Sequence, residues 1–276
     1  GGALVTPILH AQGDGTYIDV NAAGPLSQTM ETAGTPLAAN GTHWRGMATA
    51  GLEARWPVLL SAPGSSHVIE PVAQIFARPD APDTAVLPNE DAQSLVFDAS
   101  NLFARDKFSG YDRIEGGVRA NLGLRYSGQF GRDWSATALV GQSYHLAGAN
   151  PYADADLVNA GADSGLETDR SDVVAHAGLR HASGFSMTAD ARFDESSLDV
   201  RRAEAGLSFS NRTITLATNY AIQKAQPTYG FASERHEVSG SGSVRFAEYW
   251  RALGAATFDI TNDRMTSRSI GLAYDD

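Results

Sequence analysis

The strongest constraint on this chain is a period of two, held over stretches of about ten residues and repeated down its second half. Phe185, Met187, Ala189, Ala191 and Phe193 alternate with Ser186, Thr188, Asp190 and Arg192. The same rhythm runs through Val118-Arg-Ala-Asn-Leu-Gly-Leu-Arg-Tyr126 and Ile214-Thr-Leu-Ala-Thr-Asn-Tyr-Ala-Ile222. Alternation at period two means strands with one apolar and one polar face, and about 9–11 residues is the length a tilted strand needs to cross a bilayer. The polar face would carry Arg119, Arg125, His176, Arg180, Asp190, Arg192, Arg202 and Glu204. That many charges cannot enter a dry core without partners. The expectation is therefore a polar face that lines water and an apolar face that meets lipid.

Composition leaves this reading open and closes others. The 276 residues are 42% hydrophobic and 19% charged, values that alternation yields as readily as a soluble domain does. The densest apolar patch is only Trp56-Pro57-Val58-Leu59-Leu60, too short for a membrane helix. A net charge of −11 argues against a nucleic-acid partner. With no cysteine, disulfides, thiolate catalysis and Cys-ligated metals drop out. The start, Gly1-Gly-Ala-Leu-Val5, shows neither an initiator Met nor a leader, which suggests a cut chain.

About twelve strands are expected, near 3–12, 44–55, 66–78, 116–128, 133–146, 171–183, 184–195, 201–211, 212–223, 235–246, 250–261 and 265–274. Short turns fall near 131–133, 183–184, 195–199, 211–212, 248–249 and 262–263. Long polar links fall near 13–43, 79–115, 147–170 and 224–234. Short turns alternating with long links mark a membrane barrel. A β-sandwich or closed soluble barrel is the alternative. Its core would have to be filled by residues as small as Ala203, Ala205, Gly240 and Gly242, leaving a void that native cores do not tolerate. Tyr126, Trp134, Tyr144, Tyr220, Phe246 and Trp250 near strand ends could form interfacial girdles. Val118, Leu122, Leu124, Phe185, Met187, Ala189, Leu216 and Tyr220 are expected to face outward, and Arg119, Arg125, Asp190 and Arg192 inward.

From about Trp56 a specific ordered series appears: His67-Val-Ile-Glu-Pro-Val-Ala-Gln74, Pro88-Asn-Glu-Asp-Ala-Gln93, Phe97-Asp98, Asn101-Leu-Phe103 and Lys107-Phe-Ser-Gly-Tyr-Asp-Arg-Ile-Glu115. Gly148-Ala-Asn-Pro-Tyr152 and Gly165-Leu-Glu-Thr-Asp-Arg-Ser-Asp-Val173 follow. From about residue 44 to the end, the chain resembles LptD, the lipopolysaccharide-assembly family of Gram-negative outer membranes, and most of all its alphaproteobacterial branch. The resemblance implies an all-β, antiparallel transmembrane β-barrel of the outer membrane, with about twice as many strands as are counted here. It also implies transport of lipopolysaccharide from a periplasmic Lpt bridge into the outer leaflet, a periplasmic N-terminal jellyroll, and an LptE-like lipoprotein plug. By that comparison residues 1–276 are one portion of the barrel, an open piece without the jellyroll and the final strands, and 3–12 should not pair with 265–274.

The motif residues that carry the resemblance are Glu70, Pro71, Asn89, Asp98, Asn101, Phe103, Phe108, Gly110, Asp112 and Arg113. Asp112 and Arg113 could form an inward ion pair; the plainer reading of Phe108–Glu115 is a turn, with Gly110 supplying backbone freedom and Asp112 local hydrogen bonds. Pro71 lacks a ladder donor, so Glu70-Pro71 suggests a bulge, a bend, or a strand portion beyond the membrane. Asp154, Asp156, Asp163, Glu167, Asp169 and Asp172 crowd one link and could hold a hard cation, though a solvated loop is the simpler reading. No metal or cofactor is expected. Ser143 and His145 share a strand face, as the Ser/His pair of a barrel phospholipase would, but no third partner or oxyanion hole is visible. The chain reads as a transporter rather than an enzyme, with a general porin as runner-up.

Overall fold

The computed structural model describes residues 2–19, 40–81, 89, 91–92, 95–153, 163–226 and 232–274. The strands are β1 Leu4–Ile18, β2 Gly41–Arg55, β3 Val58–Ala62, β4 Ser65–Ala77, β5 Val118–Phe130, β6 Trp134–Ala147, β7 Val173–His181, β8 Phe185–Phe193, β9 Val200–Ser210, β10 Ile214–Gln223, β11 Arg235–Arg245, β12 Trp250–Asp259 and β13 Arg264–Tyr274. They form one antiparallel sheet in chain order, with β3 pairing beside β2 on β4. Among the described residues β1 and β13 do not pair, so the sheet is open, as the family resemblance implies.

Thirteen strands replace the expected twelve because of proline. Arg55 is opposite Val72 and Val58 is opposite Ile69, so β2 and β3 keep one register along β4. Pro57 separates them. Its nitrogen points away from β4, to the side where β1 begins only at Leu4, opposite Arg55. Pro71 lies opposite Trp56, whose N–H donates to the Pro71 carbonyl at 3.1 Å. The return bond is lost for want of a proline N–H. The β4–β5 register runs unbroken through Glu70↔Arg125 and Pro71↔Leu124, so the Glu70-Pro71 step is neither a bulge nor the end of pairing. The first strand also extends to Ile18, into the stretch expected to be a loop.

The connections sort by end. Those at 63–64, 131–133, 182–184, 211–213 and 246–249 are short; at the other end lie 19–40, 78–117, 148–172, 194–199, 224–234 and 260–263. The register places Leu122, Leu124, Phe185, Met187, Ala189, Leu216 and Tyr220 on one face, and Arg119, Arg125, Asp190 and Arg192 on the other. Val118 shares the apolar face by alternation, beside an irregularity at Val118/Arg119. The apolar face is bare: Leu122, Met187 and Leu216 are 47%, 43% and 53% exposed.

The opposite face corrects one expectation. At the long-connection end of β4–β8 it does not line water, because the links 78–117 and 148–172 cover it; toward the short turns Ser127, Gln129, Thr137, Arg180 and Thr188 stay exposed, and Arg125 and Asp190 keep side chains 41% and 44% exposed. Leu95, Phe97, Leu102, Tyr152, Leu166 and Val174 form a buried core there, joined by Phe103, Phe108 and Leu139. Burial of this apolar area, at about 25 cal/mol per Å², is what holds the links down. The sheet has been hollowed to receive them. Gly123 and Gly141 pair across β5 and β6. A side chain on Gly141 would come within 2.4 Å of Leu102, and one on Gly123 within 2.9 Å of Phe103.

Candidate functional site

The inward face under the two links holds a buried polar network. Arg119, on β5, reaches Glu115 with its Nε at 2.5 Å, and Arg78 approaches the same carboxylate at 3.6 Å. Lys107 donates its backbone N–H to Glu115 and its Nζ to Asn121 at 3.1 Å. Asn121 donates to Gln74, which donates to Glu53. Ser143 donates to Asn121 at 2.7 Å, and Arg119 donates to Asn150 of the second link at 3.0 Å while lying 5.1 Å over the Tyr152 ring. β2, β4, β5 and β6 are thereby tied to both links.

Charge explains the balance of this network. Burial disfavours the charged form of Glu115, yet Lys107, Arg119 and Arg78 together hold its carboxyl below the usual range. Burial pulls Lys107 down to about 8, opposed by Glu115. Asp106 is raised by burial and by Glu115. Buried charges with this many partners are fixed in place, and that suits a scaffold that must keep the links seated.

A second centre forms around Arg192 on β8. Its guanidinium bonds Asp163 at 2.7 Å, the Ser164 carbonyl at 2.6 Å and Asp172 at 3.2 Å. Asp172 is pushed up to about 7 by burial, against the pull of Arg192 and with Glu167 and Glu195 adding to the rise. Asp172, Asp194 and Glu195 bring ligand oxygens within 4.8 Å of one another. Of the acidic link, Asp154 and Asp156 lie outside the described residues. Asp163 and Asp172 are taken by Arg192, which stands where a cation would.

The motif residues fall into the first link and its seat. Asn89 forms a closed turn with Ala92 through both amide atoms, at 2.9 and 3.0 Å. Asp98 accepts from Ser100 and Asn101, and Asn101 closes back on the Asp98 N–H and the Val96 carbonyl. Phe103 lies under the Arg125 guanidinium at 4.6 Å, and Phe108 packs on Tyr152 with centroids 4.6 Å apart. Gly110 has φ 83° and sits against the Asp91 carboxylate, which a side chain at 110 would strike at 2.4 Å. Asp91 accepts from the N–H groups of Tyr111 and Asp112, and the Asp112 carboxylate accepts from the Asp91 N–H. Arg113 is buried and donates to the Asp112 carbonyl. These are the bonds of a folded turn. Glu70 faces inward between Arg55 at 3.5 Å and Arg125 at 3.6 Å, while Pro71 faces outward.

Several residues that matter here were not singled out in the sequence. Arg45, on β2, pairs with Asp14 at 3.0 Å and donates to the carbonyls of Tyr111 and Asp112. It clamps the first link to β1 and β2. Strand alternation places Arg45 inward and Gly110 marks the turn at Phe108–Glu115, but nothing in the sequence brings the two together. Ser143 and His145 do share a face, but the Ser143 hydroxyl donates to Asn121 and His145 Nε2 bonds the Gly148 carbonyl at 2.9 Å.

Beyond β8 the inward face changes. Across β9–β13 it presents Ser208, Asn219, Ser239, Ser241, Ser243, Ser267 and Ser269, with both charges among them: Arg202, Arg235, Arg245, Arg251 and Arg264, and Glu204, Glu237 and Asp259, of which Arg202 pairs with Glu204 and Arg264 with Asp259. The described links do not pack over this half.

A family model described as LptD, LPS transport system D, matches residues 1–250. The LPS-assembly protein LptD of Saccharophagus degradans is 22% identical over 199 residues, which are 68% of this chain and 22% of that protein. That of Burkholderia lata is 23% identical over 202 residues, 70% of this chain and 24% of that protein. The chain thus spans about a quarter of the length of the curated relatives it matches. Among solved structures, a substituted Rh. blastica porin aligns over 99% of this chain and 100% of its own at 10% identity, with a TM-score of 0.32.

Proposed function

The chain belongs to the LptD family, and on that premise we propose that it is one portion of an outer-membrane barrel that carries lipopolysaccharide into the outer leaflet. The observation that supports this most directly is the division of one sheet into two inner surfaces. Over β4–β8 the long-connection end of the inner face is packed with the two links. Over β9–β13 the inner face is open and lined with hydroxyls, arginines and the carboxylates of Glu204, Glu237 and Asp259, a hydrogen-bonding surface suited to a sugar-rich head. The outer face is largely apolar in both halves, as lipid requires. On this reading the short connections face the periplasm and the long ones the outside.

The sheet's bare edges belong to the same proposal. An unpaired strand edge cannot face lipid, because its N–H and C=O groups find no water there. Strands flanking this segment in the whole protein would cover β1 and β13. An upstream periplasmic jellyroll would take lipid from the Lpt bridge, and an LptE-like lipoprotein would occupy the lumen. The affinity of the motifs for the alphaproteobacterial branch is part of this reading. No step needs a catalytic residue: the head moves along the polar face while the acyl chains leave sideways.

Depletion of the full-length protein in its host tests the proposal. Loss of newly made lipopolysaccharide from the cell surface, with build-up behind the outer membrane, is expected. Unchanged surface lipopolysaccharide with a fall in small-solute uptake would instead support a porin.

A further inference from the structure

The outward face of the strands is almost free of charge. Reading the registers across the sheet, Arg268 on β13 is the one Asp, Glu, Lys or Arg within that face among the described residues; Arg201, at the start of β9, is tied to Asp194. Arg268 lies on the sheet's edge strand, where it is exposed and makes no hydrogen bond or ion pair with the described residues; a flanking strand would lie beside it in the whole protein and leave its outward direction unchanged. It is followed on its face by Ile270, Leu272 and Tyr274, with Ile270 92% exposed. A charge in such a place is costly at mid-bilayer and far less so near the interface.

Its neighbours give the place a shape. Across the sheet Arg268 is level with Ala256, Gly240 and Thr218, and Ile270 with Gly254, Gly242 and Leu216. Leu216 lies against Gly242, where a side chain would meet it at 2.9 Å. Over Gly240 the nearest atom to an added side chain is a backbone oxygen at 4.0 Å, and over Gly254 one at 3.5 Å. The result is a shallow outward trough with Gly240, Gly254 and Ala256 as floor and with Leu216 and Ile270 as walls. Tyr220, Phe258 and Met265 stand one outward position further toward the long connections. That step is about 7 Å along a strand, within reach of a snorkelling arginine.

We propose that this trough is a lipid site on the outer wall of the barrel: an acyl chain lies over Gly240, Gly254 and Ala256, and Arg268 binds the phosphate of that lipid's headgroup. Charge complementarity selects the occupant. A guanidinium set at the edge of an apolar floor, one outward position from Tyr220 and Phe258, matches a phosphate bound to a hydrocarbon chain, and Arg offers that phosphate two parallel N–H donors. The site is separate from the luminal route and rests on the membrane reading above.

The test uses the full-length protein in detergent, with phosphatidic acid as probe and diacylglycerol of the same chains as control, read by native mass spectrometry. Arg268→Leu should weaken retention of phosphatidic acid about tenfold, and Arg268→Lys should weaken it less. Ala256→Trp, which fills the floor and keeps the arginine, should also weaken it. Equal retention by the wild type and Arg268→Leu would overturn the proposal. A photo-cross-linking residue in place of Ile270 separates the two readings in cells. Lipid adducts are expected. Adducts to a neighbouring protein strand would overturn the lipid site, and no adduct to lipid at 270 or at other outward positions would overturn the membrane reading itself.

Discussion

Arg119 and Glu115 meet at 2.5 Å with side chains only 1% and 0% exposed, joining strand β5 to the link that covers it. Both are fully desolvated, so removing one leaves the other's charge without its partner. Glu115→Ala would leave Arg78, Lys107 and Arg119 facing one another, at a cost of about 3–5 kcal/mol. Limited proteolysis of the full-length protein should show the link 78–117 cut far faster in the variant. Wild-type resistance to cleavage would contradict the pairing.

The strands could be read from the sequence because alternation is a direct image of a two-faced sheet. Phe185 to Phe193 and Ile214 to Ile222 fall within β8 and β10 almost to the residue. The links could not be read in this way. Phe97, Leu102, Tyr152 and Leu166 form a buried core, yet they sit in aperiodic stretches whose burial depends on Gly123 and Gly141 far along the chain. The polar face was expected to be wet for the same reason: Arg119 and Arg192 look like lumen charges until the links are seen to lie on them. β3 escaped notice because Pro57 interrupts the alternation at the point where the register continues.

A charge placed on the lipid face tests the sidedness. Leu122→Arg should cost about 2–4 kcal/mol of folding stability in a bilayer. Asn219→Arg, on the open inner face, should cost much less. The comparison is made by denaturant titration of the full-length barrel in lipid vesicles. Equal costs would argue against an outward Leu122.

Gly110 is fixed by its backbone and by Asp91. At φ 83°, alanine is strained even in free space, and here it would also meet the carboxylate. Gly110→Ala is expected to lose about 1–3 kcal/mol of local stability and to release Arg45 from the Tyr111 and Asp112 carbonyls. Hydrogen exchange at 108–115 reads this directly, and unchanged protection would contradict it.

Asp172 supplies a pH dependence. Its folded pKa, about 7, lies above the ordinary 3.8, so between those values the folded state holds more protons than the unfolded one. Stability of the second link should therefore fall as pH rises from about 4 to about 7. Asp172→Asn should flatten that slope, though it also weakens the contact with Arg192. Proteolysis of the segment 163–172 at pH 5 and pH 8 checks it; an unchanged slope in the variant would rule out Asp172 as the source.

The central claim is that one face of this sheet meets lipid while the other lines the route of a polar headgroup. Photo-cross-linking residues placed one at a time along Leu216–Ala221 of β10 and Val238–Ser243 of β11, in the full-length protein in cells, test it most directly. Phospholipid adducts should appear at 216, 218, 220, 238, 240 and 242, and lipopolysaccharide or plug-protein adducts at 217, 219, 221, 239, 241 and 243. Adducts without that period of two, or phospholipid at the serine positions, would contradict it.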